Sequence, residues 1–295
     1  MSSSIISQAE WSAAVQERLA DAALWNIIND VKQINGGVYH QPYSTPGTFG
    51  SHTRYSAYAQ SDVTIADEYA TCNQSAILSQ PIDRADLVQS QYAKLIKLAQ
   101  EQGVSAGEKL DNLMLAAHAG WTDFGVGDLT TIGSADTTQI TIDINNIDDI
   151  LDTLDATIDT AKGNKLANRN GKFIIWRPKD FKLVKQLARS QGFASADDII
   201  INGMNFGVKY MGWEHYVSNQ HTANHVFAGV KNLHFLGTAP GAFPMTYQHE
   251  EPSVLETDGD PASGNLSAIA MVTRLDYVYK TWANYKPVLF DVNCA

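Results

Sequence analysis

Three groups of side chains in this 295-residue chain have the types and spacings that could hold a metal ion or move a proton. His215, His221 and His225 fall within eleven residues, and the last two have the four-residue spacing that would place both imidazoles on one helical face. Asn219, Thr222 and Asn224 surround them, so a polar connection between a strand and an apolar run is the better reading. Asp148, Asp152, Asp155 and Asp159 form a stripe opposite the Ile and Leu residues of their helix. Carboxylates along a straight helix do not converge on a cation as those of a calcium loop do, which makes this a solvated acidic face. Glu256, Asp258 and Asp260 flank Gly259 in a turn-like stretch, again better read as an exposed turn. The phosphate-cradling GxxxxGK[ST] loop, the GxGxxG fingerprint and the HExxH zinc motif are all missing. No catalytic, cofactor-binding or metal residue is therefore assigned, and the alternative from another class is a metal-dependent enzyme using His215, His221 and His225.

Bulk properties narrow the choice further. A content of 44% hydrophobic residues is enough for a substantial core, so a disordered chain is excluded. The net charge of −11, with no Lys- or Arg-rich run, argues against a surface that grips nucleic acid. It does not argue against a wall that encloses DNA, because an acidic wall lets packed phosphates slide. No segment approaches the roughly 20 apolar residues of a membrane span, and the first residues lack a basic start and an apolar run of signal-peptide length, so the chain is expected to be made in cytoplasm without a membrane. Cys72 and Cys294 are too few for a disulfide framework.

The elements that must position these residues follow from periodicity. Trp11, Val15, Leu19, Ala22, Trp25, Ile28 and Val31 predict an amphipathic helix over residues 8–34. Between Tyr43 and Ala76 the only Leu, Ile, Val or Met residues are Val63 and Ile65, while Phe49, Tyr55, Tyr58 and Tyr69 are present. Such a stretch cannot supply its own core yet is too aromatic for a linker, which predicts a projecting hairpin resting on another surface. Beyond Pro81 a long helical face runs to His118, interrupted at Gly103. A helix on Ile147, Ile150, Leu151, Leu154 and Ile158, a buried strand over 172–176, a helix from Pro178, a strand over 208–217, an apolar run over 226–236 and β-rich runs within 268–292 complete an α+β chain.

The order of these parts resembles the Hong Kong 97-type major capsid protein of tailed phages. The likeness spans residues 10–292 and is carried by "QPIDRADLVQSQYAKLIKLAQEQGVSAGEKLDNLMLAAH", "INNIDDILDTLDATIDTAKGN", "GKFIIWRPKDFKLVKQLARSQGF", "NGMNFGVKYMGWEHYVSNQ" and "NHVFAGVKNLHFLG". It implies a Hong Kong 97-like fold with an N-arm (1–38), an E-loop (39–80), a peripheral domain with the spine helix (81–122), an axial domain (123–230) and peripheral strands returning over 231–295. It also implies a non-enzymatic homo-oligomer whose hexamers and pentamers close an icosahedral shell around double-stranded DNA without sequence-specific binding, located in the virion. Expected inter-subunit contacts are Trp11 and Trp25 on the N-arm and Phe49, Arg54, Tyr55, Tyr58, Val63, Ile65 and Tyr69 on the E-loop. No lysine lies between Lys32 and Lys94, so the E-loop cannot donate one to an isopeptide link and the shell is expected to be non-covalent. The N-arm leaves no room for a fused scaffolding domain, which implies a separate scaffolding protein beside the portal protein, with a cement or decoration protein as a further option. Within the fold, the alternative is a bacterial encapsulin, a nanocompartment shell holding protein cargo.

Overall fold

A computed structural model describes residues 8–19, 24–44, 54–55, 65–83, 92–161, 164–190, 208–221, 224–250 and 268–295. The chain begins with helix α1 (Gln8–Leu19), a single turn α2 (Trp25–Ile28), and strands β1 (Asp30–Gln33), β2 (Val38–Ser44), β3 (Ile65–Thr71) and β4 (Gln74–Asp83). The long helix α3 (Tyr92–Ala116) follows, then β5 (Thr122–Phe124), the short α4 (Val126–Thr130), α5 (Ile147–Thr160), α6 (Asn164–Asn170), β6 (Lys172–Trp176) and α7 (Pro178–Ser190). The strands that follow are β7 (Val208–Tyr210), β8 (Trp213–Val217), β9 (His225–Val230), β10 (His234–Thr238), β11 (Met245–Glu250), β12 (Ala268–Thr281) and β13 (Leu289–Asn293).

These elements make two main sheets. In one, β12 pairs antiparallel with β4 along one edge and with β11 along the other, and its C-terminal end pairs with β10, which carries β1 in parallel. Helices α1 and α3 cover it: Trp11, Val15, Leu95, Ala99 and Met271 form one buried cluster, and Leu19, Trp25, Leu110, Leu236 and Leu275 another. A buried polar knot locks the layers. Gln102 on α3 accepts from Trp11 Nε1 at 3.1 Å and from Thr273 Oγ1 at 2.8 Å, and donates to Gln80 at 2.8 Å. The second sheet has the order β5-β13-β9-β6-β8-β7 and holds the largest core, packed by the apolar faces of α5 and α7.

Several sequence expectations are corrected. The helix predicted over 8–34 stops at Leu19, because residues 30–33 gain more from parallel pairing with β10 than from continuing a helix. Gly103 does not interrupt α3; a Cβ there would stand 2.4 Å from the Val15 carbonyl oxygen, so the glycine is where α1 lies against α3. The strand expected over 208–217 is a hairpin, turning at Met211 (φ 50°) and Gly212 (φ 78°). A two-residue turn with both φ positive matches the twist of the strands it joins. Residues 74–80, grouped with the E-loop, hydrogen-bond to β12 in the first sheet, and β13, grouped with the returning peripheral strands, lies in the second. Among the described residues no helix is long and apolar enough to cross a membrane.

Candidate assembly surface

Among the described residues, strands β2 and β3 pair only with each other, from Val38 opposite Thr71 to Ser44 opposite Ile65, and form a ribbon outside both main sheets. Its root is held firmly. Tyr39 stacks on Phe235 with centroids 4.8 Å apart, Ala70 is buried, and the Lys280 ammonium donates to the Tyr69 carbonyl at 2.5 Å. The Glu68 carboxylate accepts from the Ala283 amide at 3.2 Å.

The two faces of β3 are inverted relative to an ordinary half-buried strand. Alternation turns Ala66, Glu68 and Ala70 toward the body, while Ile65, Asp67 and Tyr69 face away. Ile65 is 73% exposed and Tyr69 62%, and Tyr55 is 95% exposed with the Arg54 guanidinium 5.7 Å from its ring centre. Along β3 the larger apolar side chains thus point to water and the alanines point inward, while Tyr39 of β2 anchors the root, a pattern that leaves the outer face of β3 to be covered. An apolar groove of about 230 Å³, lined by Ile77, Leu78, Ala106, Thr273 and Leu275, opens between α3 and the first sheet.

The expected contact residues divide. Ile65, Tyr69, Tyr55 and Arg54 are at the surface. Trp11 and Trp25, expected to meet a neighbour, are only 1% and 6% exposed. Their surface is used up inside their own chain, Trp11 against α3 and Trp25 edge-on to Phe243 at 6.2 Å, so they are corrected to core residues. Phe49, Tyr58 and Val63 lie outside the described residues, as do Glu256, Asp258 and Asp260.

The histidine triad of the sequence does not assemble. β6 separates β8 from β9, which sets His215 about 10 Å across the sheet from the strand of His225. His215 is buried, accepts from Trp176 Nε1 at 2.8 Å, and is pushed down to about pKa 4 by burial. His221 stacks beside Phe227, and His225 bonds to Asp291 at 2.7 Å. The reading of a metal-dependent enzyme built on these three is overturned. His225 instead stands beside His118 and Asp291, a juxtaposition that the sequence hides because 66 residues or more separate the members. The acidic stripe is only partly solvated: Asp155 binds the Lys172 ammonium at 2.7 Å, and Asp148 accepts from the Tyr210 hydroxyl at 3.0 Å.

Comparison with solved structures places this architecture. The mature capsid of bacteriophage PhiM1 matches with a TM-score of 0.60, 12% identity, and coverage of 92% of this chain and 87% of that one. This is the Hong Kong 97-like capsid fold. The capsid of cyanophage P-SCSP1u (TM-score 0.56, 11% identity, 93% and 88% coverage) and a virus-like particle from Pyrococcus furiosus (0.58, 12%, 97% and 98%) also match. No protein-family model matches the chain, and neither does any curated protein sequence.

Proposed function

We propose that this chain is the major capsid protein of a tailed double-stranded DNA phage, building an icosahedral shell from hexamers and pentamers and having no catalytic role. The observation that carries the reading is the inverted face of β3: on a capsid fold, Ile65 and Tyr69 turned outward, with the exposed Tyr55, have surface to give to an adjacent copy. Many copies of one modest contact become tight when closed symmetry makes them act together. In this reading α3 and the first sheet are the peripheral domain, and the second sheet with α5 and α7 is the axial domain. A lysine-free E-loop supports a non-covalent shell. An acidic chain suits a container that does not bind its DNA by sequence. A separate scaffolding protein, a portal and, as an option, a cement protein would complete the assembly in the host cytoplasm before the virion leaves it.

A second reading keeps the shell and changes its contents. The match to the virus-like particle covers nearly all of both chains and supports an encapsulin-type compartment loaded with protein. Electron microscopy of the purified protein with analysis of its contents separates the two. Large DNA-filled particles are expected, whereas small protein-filled ones would move the assignment to the compartment. In the same experiment, the double variant Ile65→Ser, Tyr69→Ser should remain folded by circular dichroism yet form shells only at much higher concentration. Normal shells from that variant would remove the ribbon from the assembly contact.

A further inference from the structure

His118 sits in the 3-10 turn that follows α3, His225 opens β9, and Asp291 is central in β13. His118 Nε2 is 3.4 Å from one Asp291 carboxylate oxygen and His225 Nδ1 is 2.7 Å from the other. The two imidazole centroids are 4.9 Å apart, and one donor atom from each of the three residues lies within 4.8 Å of the other two. Two donors on a tetrahedral zinc ion stand roughly 3.4 Å apart, so the set needs to close by little more than about 1 Å at its widest pair.

The hydrogen bonding around the trio suits a set of metal ligands. His118 Nδ1 donates to the Leu115 carbonyl at 2.9 Å, and its Nε2 is the nitrogen turned to Asp291. A backbone carbonyl that fixes the far nitrogen is how proteins commonly orient a metal-bound imidazole. A further observation points the same way. Asn293, opposite His225 in the β9–β13 pairing, has a buried Nδ2 without a hydrogen-bond partner. The His221 ring packs on the same Phe227 that His118 and His225 contact. A water molecule kept by a bound ion would give the Asn293 amide a partner.

We propose that His118, His225 and Asp291 bind one divalent transition-metal ion of the zinc class, tying the end of α3 to β9 and β13. Two imidazoles and one carboxylate suit zinc-class ions and not calcium or magnesium, which prefer all-oxygen shells. The ion joins the helix of the first sheet to two strands of the second, a structural clasp that does not depend on the shell reading. Both imidazoles are about a fifth exposed, so an ion can enter from solvent while Asp291 stays buried.

The test uses the full chain, stripped with a chelator and dialysed, titrated with zinc by calorimetry and with cobalt by visible absorption. One zinc per chain is expected, with cobalt bands of a four- or five-coordinate site and a raised thermal unfolding midpoint. His118→Gln and His225→Gln should each weaken zinc binding at least about tenfold, the loss that even outer-shell changes bring. His40→Gln, which alters an exposed His–Asp pair in the ribbon, serves as the control and should bind as the parent does. Should a variant fail to fold, the parent chain still decides. Absence of stoichiometric zinc uptake in the micromolar range, or cobalt spectra of a hexa-aquo ion, would mean that a proton alone bridges His118 and Asp291. Binding unchanged in both folded variants, or lost in the control, would equally overturn the site.

Discussion

Two histidines, His215 and His234, are sealed in the interior as neutral rings, and their burial makes stability depend on pH. Burial pushes His215 down to about pKa 4 and His234 to about 3, while in the unfolded chain both take a proton near the ordinary 6.5. Between those values the unfolded state binds more protons than the folded one, so the stabilisation is complete above pH 6.5 and is lost as pH falls toward 4. For His215 alone the loss is on the order of 3 kcal/mol over that window. Asp111 works in the opposite sense. Its carboxyl accepts from the Leu24 and Trp25 amides, but burial holds it up near 6, so the folded state gains its proton first and recovers some stability as pH drops. The variant difference isolates the histidine: His215→Gln keeps an acceptor for Trp176 Nε1 and does not titrate. Denaturant midpoints at pH 7, 6 and 5 should fall less steeply in His215→Gln than in the parent. Parallel slopes would mean that His215 is already protonated or already solvated in the native chain.

At the scale of elements, Gly103 is the sharpest case of tertiary packing overruling local preference. In an exposed helix Gly→Ala would stabilise by about 1 kcal/mol. Here the added methyl would meet the Val15 carbonyl at 2.4 Å and Arg18 Cβ at 3.0 Å, so α1 must lift from α3 and open the Trp11–Gln102 bond. Gly103→Ala should therefore destabilise by about 1–3 kcal/mol in chemical denaturation, the usual range for overpacking. A more stable variant would mean that α1 does not rest there. The same contrast explains what could be read before the structure. α5, β6 and α7 are legible because their apolar residues repeat with the period of the element and pack on one core. β1 was lost to a helical pattern because its strand character comes from β10, some 200 residues away. The turn at Met211-Gly212 was missed inside an apolar run, since only one of its two positive-φ residues is a glycine. Of the ribbon, the poverty in large aliphatic side chains was legible, but which face Ile65 and Tyr69 occupy depends on register, and the burial of Trp11 depends on α3. His118, His225 and Asp291 carried no local signal at all, because three distant segments meet only once both sheets are in place.

For the molecule as a whole, the proposed contact through the exposed Ile65 and Tyr69 must be reconciled with a net charge of −11 on every copy. Copies brought together through Ile65 and Tyr69 gain hydrophobic burial, which salt does not weaken, and suffer like-charge repulsion, which salt screens. The screening distance falls from about 10 Å at 0.1 M salt to about 3 Å at 1 M, so repulsion between neighbouring acidic surfaces is nearly removed at the higher value. Raising sodium chloride across that range should therefore lower the protein concentration at which shells form, seen as an earlier rise in light scattering with particles confirmed by electron microscopy. The Ile65→Ser, Tyr69→Ser variant should need more protein than the parent at every salt concentration, because it loses the term that salt leaves alone. Shells that dissolve as salt is added would reverse the balance. They would mean that ion pairs between copies, with the exposed Arg54 as one partner, outweigh the apolar face in holding the assembly together.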